Sequence, residues 1–441
     1  MVGGLPAAHS QEKEILPEAI PNSATPLSKG PLQQINKYFS TQTIIYNDGT
    51  SVERNIINGP PTPPPGYELE RTPVALPESD QEMGIKTLTV PAFNWVFGCS
   101  SVSGAMIAGY YDRNGFLNMY AGPTNGGVMP LDNSSWPTWT DGYTTYPNLP
   151  LAGSHQGVDG RATLGSIDDY WVKYDSSSQD PYITNGWTQH TWGDAIGDYM
   201  KTSQSAYGNT DGSTTFYNWN SSATQLTCSN MVSYGIDTKD GTYGRKLFYE
   251  ARGYTVTDCY NQKTDNTISG GFSFTQYKAE IDAGRPVMLN LVGHTIVGVG
   301  YDDSTNTVYI HDTWDYNTHT MTWGGSYSGM QLRSVSIVNL SPAPANGQVS
   351  GDYDGDGKSD IGIWRPTTGY WYIYRSSDGG MTATQWGSGN DVPVPGDYDG
   401  DGKTDIGIWR STTGYWYIYR SSDGGMTATQ LGSGNDVPLR R

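Results

Sequence analysis

The sequence predicts an α+β domain followed by an all-β tail of propeller-blade-like repeats. Three observations predict it. A stretch of small residues at 99 to 111 reads as a helix set directly behind a glycine in FNWVFGCSSVSGAM. Three short β-branched runs, PVMLNLVG, HTIVGVGY and TVYIHDTW, succeed one another before residue 315. A unit beginning at Gly351 returns 45 positions later, as tandem repeats do.

At 441 residues the chain is too long for one ordinary core, so two or more domains are expected. Its 44 acidic residues against 26 Lys and Arg give a net charge of -18, which repels nucleic acid and anionic membrane surfaces and excludes both as partners. No apolar run reaches the roughly 18 residues that insertion across a membrane would need. Only 35% of residues are hydrophobic, yet 32 Tyr and 14 Trp supply large apolar faces with polar edges, enough for sizeable cores. Abundant Gly, Ser, Thr, Asn and Tyr with sparse Lys and Arg point to a secreted, extracellular or cell-surface protein. The opening MVGGLPAAHSQEKEILPEA has neither the basic start nor the apolar run of a secretory signal, so that stretch leaves export open.

In chain order, residues 1–88 show little periodicity and contain GPPTPPPG at 59 to 66, an extended, polyproline-type connector; they read as an N-terminal leader or propeptide outside the core. Removal is expected between roughly Pro65 and Val90. Residues 89–340 carry the helix at 99 to 111, a long Gly-, Asn-, Trp- and Tyr-rich insertion, two amphipathic helix candidates in KLFYEARGY and FTQYKAEIDAG, and then the three strands. The last two strands are joined by the polar turn DDSTN, a hairpin signal. SPAPANGQVS at 341–350 is a linker, and residues 351–441 are two near-identical repeats that differ only at Ser359/Thr404, Pro366/Ser411 and Trp386/Leu431. Two copies are fewer than the three or so that repeat arrays need to bury their faces, so they pack on the preceding domain, on another chain, or belong to a truncated array.

Cys99 opens the predicted helix, where unpaired N–H groups and the helix dipole favour thiolate over thiol. Val102, Met106 and Tyr110 fall on one face to anchor the helix, and Ser100, Ser101, Ser103 and Gly104 leave room beside the sulfur. A thiolate catalyst needs a base, and the base an orienting acceptor. His294 opens one strand of the hairpin and Asp312 closes the other, so the imidazole and carboxylate can hydrogen-bond. Alternation places Val308, Ile310 and Asp312 on one face and puts the rival His311 on the other. Cys228 and Cys259 could equally be a disulfide or two buried thiols. His190 and Asp194, four apart, could share a helix face, but no third metal ligand stands at a telling spacing. NSS at 133 and at 220 matches a glycosylation sequon that is common by chance.

GCSSVSGAM, joined far downstream by GRPVMLNLVGHTIVGVGYDDSTNTVYIHD, resembles the papain-like cysteine peptidases of the bacteriocin-leader-processing type. The resemblance covers residues 89–340 and implies a papain-like fold. It makes Cys99 the nucleophile, His294 the general base and Asp312 its orienter. Two positions depart from the family pattern: CSS replaces the usual CGP, and Asn94 stands where an upstream Gln would complete the oxyanion hole beside the Cys99 N–H.

DYDGDGKSD and DYDGDGKTD place Asp352, Asp354, Asp356 and Asp360, and again Asp397, Asp399, Asp401 and Asp405, at positions 1, 3, 5 and 9 of an oxygen-rich loop, with the carbonyls of Lys358 and Lys403 at position 7 and their ammonium groups in water. Calcium is the ion this spacing suits. Ile363 and Ile408 stand where an EF-hand has its Glu, so that motif is excluded. The loops resemble integrin-type FG-GAP or VCBS repeats of secreted and surface proteins. The resulting expectation is a secreted, calcium-bound cysteine endopeptidase acting on protein or peptide, with cell-surface attachment or self-association through the repeats. An acyltransferase of transglutaminase type and a catalytically inactive surface adhesin are the alternatives.

Overall fold

The computed structural model describes residues 24–80, 83–116, 124–140, 142–153, 195–341 and 351–433, with short pieces between 119 and 186 and Asp436. Residues 1–23, His190, Asp194 and most of the 341–350 linker lie outside them.

The described chain opens with β1 (Pro26–Lys29), β2 (Gln33–Asn36), β3 (Phe39–Tyr46) and β4 (Ser51–Ile57). β3 and β4 form a hairpin closed by Asn47-Asp48-Gly49-Thr50, where Gly49 takes φ 82° and Asp48 accepts from the Thr50 N–H. After β5 (Ile85–Thr87), helix α1 (Cys99–Arg113) and the hairpin β6 (Thr138–Thr140) and β7 (Thr145–Pro147) comes β8 (Thr214–Trp219), which pairs with β4 from Val52 to Ile57. Residues 26–57 therefore form paired strands that pack on the core, not a stretch outside it. Ile44, Tyr46 and Val52 pack with Tyr217, Leu226 and Met231, while Phe39 and Ile57 enter the main core. Their burial overrides the weak periodicity that placed them outside it.

The main sheet gathers β9 (Leu226–Thr227), β10 (Val256–Lys263), β11 (Val287–Leu291), β12 (His294–Asp302), β13 (Thr307–His311), β14 (His319–Thr322), β15 (Ser326–Tyr327) and β16 (Met330–Leu340). Its order is β14-β13-β12-β11-β16-β10-β9, with β15 on β16 and β5 on β12. The two amphipathic stretches are helices α2 (Gly241–Ala251), capped by the Asp240 carboxylate, and α3 (Phe274–Asp282), begun by a Ser273–Gln276 capping box. Cys228 and Cys259 form a disulfide.

α1 is buried from Cys99 to Asp112 on every side, beyond the single anchoring face predicted. Small residues make that possible: a Cβ on Gly104 would meet Met200 Sδ at 3.0 Å, and one on Gly109 would meet Met129 Cγ at 2.9 Å. Ser100 Oγ bonds Thr295 Oγ1 at 2.8 Å and Ser103 Oγ donates to the Thr295 carbonyl at 3.1 Å, so hydroxyls tie the helix to the start of β12. Ser100, at the glycine position of the CGP pattern, thus has a partner on the facing strand, while Ser101, at the proline position, donates back to the Gly98 carbonyl at 2.9 Å.

The tail consists of β17 (Ile361–Arg365), β18 (Tyr370–Tyr374) and β19 (Met381–Gln385), then β20 (Val392–Pro393), β21 (Ile406–Arg410), β22 (Tyr415–Tyr419) and β23 (Met426–Gln430). They form a three-stranded and a four-stranded antiparallel sheet. The propeller expectation is corrected: the described residues close no ring of blades. One sheet packs on the other through Trp371, Ile406 and Ile408, and Trp386 donates to the Tyr417 carbonyl at 3.1 Å.

Candidate active site

Cys99 reaches its place through a strained approach. Phe97 takes φ 57° and Gly98 φ 150°; a Cβ on Gly98 would overlap the Gly212 carbonyl oxygen, so only glycine passes there. Gly98, at the helix start, offers no side-chain cap to the first N–H groups of α1. Cys99 is the free cysteine and is wholly buried, as is His294.

The two meet around Gly59. A Cβ built on that glycine would overlap His294 Nδ1 and lie 2.5 Å from Cys99 Sγ, so imidazole and sulfur line one atom-sized space. Burial alone pushes the Cys99 pKa up, but the His294 imidazole and the N–H groups of Thr295 and Gly59 outweigh it, and the pKa is lowered. His294 Nε2 lies 2.7 Å from the main-chain carbonyl oxygen of Asp312. A carbonyl only accepts, so Nε2 carries the proton and Nδ1 is the atom turned to sulfur. Trp314 stacks on the imidazole, centroids 3.9 Å apart and planes 11° apart.

Asp312 is therefore beside His294, but through its backbone. Its carboxylate accepts instead from Arg71 Nε at 2.8 Å, Tyr327 Oη at 2.8 Å and the Trp314 N–H at 3.0 Å. The expected carboxylate–imidazole bond is replaced because an arginine from the 60–80 connector reaches the carboxylate; guanidinium is the stronger partner for a buried anion. Asp312, Asp315 and His319 cluster closely enough to hold a metal, and Arg71, 2.9 Å from Asp315, already supplies their positive charge. His311 is separate, held between the Pro91 carbonyl and Thr318 Oγ1; burial pushes its pKa down to about 4.

Asn94 does not join the pair. Its N–H and carbonyl bond the Asn133 side chain, and its own side chain meets Tyr316. The neighbouring Trp95 faces the site instead, donating Nε1–H to the Gly59 carbonyl at 3.0 Å. Sequence reasoning missed Gly59, Arg71, Trp95, Trp314 and Tyr327. Only the pairing of Trp and Asp in HDTWD gave a local hint.

In the tail, Asp352, Asp354 and Asp356 converge in one loop, and Asp397, Asp399 and Asp405 in the other, with one oxygen of each within 4.8 Å of the rest. Asp360 accepts from the Tyr353 and Ser376 N–H groups, and Asp401 from Ser421 Oγ at 2.9 Å. Lys358 and Lys403 each donate an N–H into their loop, to Asp356 and Asp401 at 2.8 Å, and the Lys403 stem lies against Gly355 of the other loop rather than wholly in water. An all-oxygen donor set this tight fits a hard cation such as calcium.

Residues 352–408 match the FG-GAP-like repeat. No curated protein and no solved structure matches the chain. The Peptidase_C39 like family matches residues 87–328, more than half of the sequence and the whole span that brings Cys99 to His294; the chain belongs to this family of cysteine peptidases.

Proposed function

We propose that the protein is a secreted cysteine endopeptidase with a calcium-binding tail. The observation that carries the reading is the space shared by Cys99 Sγ and His294 Nδ1. In the proposed reaction His294 Nδ1 takes the thiol proton and Cys99 sulfur attacks the scissile carbonyl carbon. The tetrahedral oxyanion is received by the Cys99 N–H at the start of α1. The imidazolium then protonates the leaving amine, and water, deprotonated by the same imidazole, hydrolyses the acyl-enzyme. Asp312 acts on His294 through its carbonyl, while its carboxylate, fixed by Arg71 and Tyr327, holds that carbonyl and Trp314 in position.

The disulfide supports export to an oxidising compartment. Asp352, Asp354 and Asp356, and Asp397, Asp399 and Asp405, would hold calcium, which would neutralise their mutual repulsion and brace the tail. Casein digestion by protein cut in the exposed loop around Leu69, beside the same protein carrying Cys99→Ala, tests the mechanism: new N-termini from the protein that keeps Cys99 alone are expected. Ammonia release without new N-termini would favour acyl transfer, and equal digestion by both proteins would refute the cysteine mechanism.

A further inference from the structure

The connector after β4 crosses the Cys99–His294 pair. Gly59 stands so close that a Cβ would overlap both reactive atoms, and its N–H is one of the groups drawing the Cys99 pKa down. Three successive carbonyls are each held by an aromatic side chain. Asn58 accepts from Tyr174 Oη–H at 3.3 Å, Gly59 from Trp95 Nε1–H at 3.0 Å, and Pro60 from Trp314 Nε1–H at 2.8 Å. These donors read main chain, which any extended peptide presents, rather than side chains.

Both ends of the segment are held. Upstream, β4 pairs with β8, and Glu53 bridges Lys263 and Arg333. Downstream, Arg71 ties the connector to Asp312 and Asp315, and Val74 bridges to Thr318. Between those anchors Leu69 is 92% exposed, which makes this loop open to cutting. A break there would part Asn58–Pro60 from the Arg71 and Val74 anchors, leaving the packing of Tyr67 on Gly329 as its downstream hold, while β4 stayed in its sheet.

We propose that Asn58–Pro60 occupies the peptide-binding track of the cleft, so that the intact chain is latent, and that Trp95 and Trp314 are the donors that receive a substrate's main chain once the segment leaves. The role of the two tryptophans in the opened cleft rests on the peptidase reading; the occupancy does not. Substrate and plug compete for the same two N–H groups, so each tryptophan has opposite effects on latency and on substrate binding.

The test uses the full chain and iodoacetamide, which reads Cys99 alone because the other two cysteines are bonded to each other. Wild type should alkylate slowly until denatured. Gly59→Val cannot keep the segment in place and should alkylate at least ten-fold faster, with Gly59→Ala intermediate and the main-core melting transition retained. Trp95→Phe and Trp314→Phe should each speed alkylation several-fold, and in the Gly59→Val background each should raise KM for a peptide amide with little change in kcat. Wild-type alkylation as fast as that of the unfolded chain, or no acceleration in either folded Gly59 variant, would overturn the occupancy. An unchanged KM in both tryptophan variants would overturn the donor assignment. Faster alkylation of Gly59→Val without any peptide hydrolysis would uphold the plug and refute the peptidase reading instead.

Discussion

Cys99 and His294 lie 195 positions apart and meet only because α1 packs on β12, whereas Asp352, Asp354 and Asp356 fall within five residues and need one turn to converge. The peptidase region has no reactive pair until its core is assembled; the tail has its acidic loop as soon as one hairpin closes. The tail also compares with itself. Ile406 and Ile408 are 8% and 1% exposed against the first repeat, while their counterparts Ile361 and Ile363 are 67% and 58% exposed. Identical strands, IGIWR in each, thus have different environments. Position in the array, not sequence, sets how much each contributes.

The largest expected effect tests the first half of this comparison. Cys99→Ala and His294→Ala should each lower peptide hydrolysis by roughly 10³-fold or more, because nucleophile and base act as one unit. Asp312→Asn should keep a residual rate, since the carbonyl that meets His294 remains. Steady-state kinetics, in an enzyme whose cleft has been opened, measure all three. Loss in Asp312→Asn as deep as in His294→Ala would give the carboxylate a direct role.

Within the tail, Ile408→Ala should cost about 2–5 kcal/mol as a buried truncation, whereas Ile363→Ala, the same change one repeat earlier, should stay within about 0.5 kcal/mol. Denaturant unfolding of the two variants compares them directly. Equal losses would mean that the first repeat's strand is covered in solution.

A pH series separates the regions. His311 is neutral in the fold, with its pKa down at about 4 against an ordinary value of 6.5. Between those limits the unfolded chain binds more protons, so His311 stabilises fully above pH 6.5 and loses that contribution as pH falls towards 4, by about 3 kcal/mol. The difference between wild type and His311→Gln in the peptidase-region transition should show this slope, and the tail transition should not.

The smallest effect is calcium's. Extracellular sites of this class bind at about 10⁻⁴ to 10⁻³ M, so calcium at some ten times Kd adds roughly 1.4 kcal/mol per occupied loop. EGTA should lower the tail's melting temperature and leave Cys99 alkylation unchanged. Identical melting curves with EGTA and excess calcium would make the loops ordinary acidic turns.

Features that depend on neighbours along the chain were legible in the amino-acid order. The helix start at Cys99 and the strand runs PVMLNLVG, HTIVGVGY and TVYIHDTW come from local periodicity, and strands run through them at Val287–Leu291, His294–Asp302 and Thr307–His311; the acidic spacing likewise brings three carboxylates of each loop together. The β3–β4 hairpin was legible too, in the Asn-Asp-Gly turn between TQTIIY and SVERNII, but its proline-rich sequel masked it. Long-range packing settled the rest. It turned the Asp312 carboxylate to Arg71, 241 positions away, and left His294 the carbonyl. It put Trp95 rather than Asn94 at the cleft and laid Gly59 across the sulfur. Those outcomes depend on which side chains compete for one buried acceptor and on the room left by a missing Cβ, quantities that exist only once distant segments have packed.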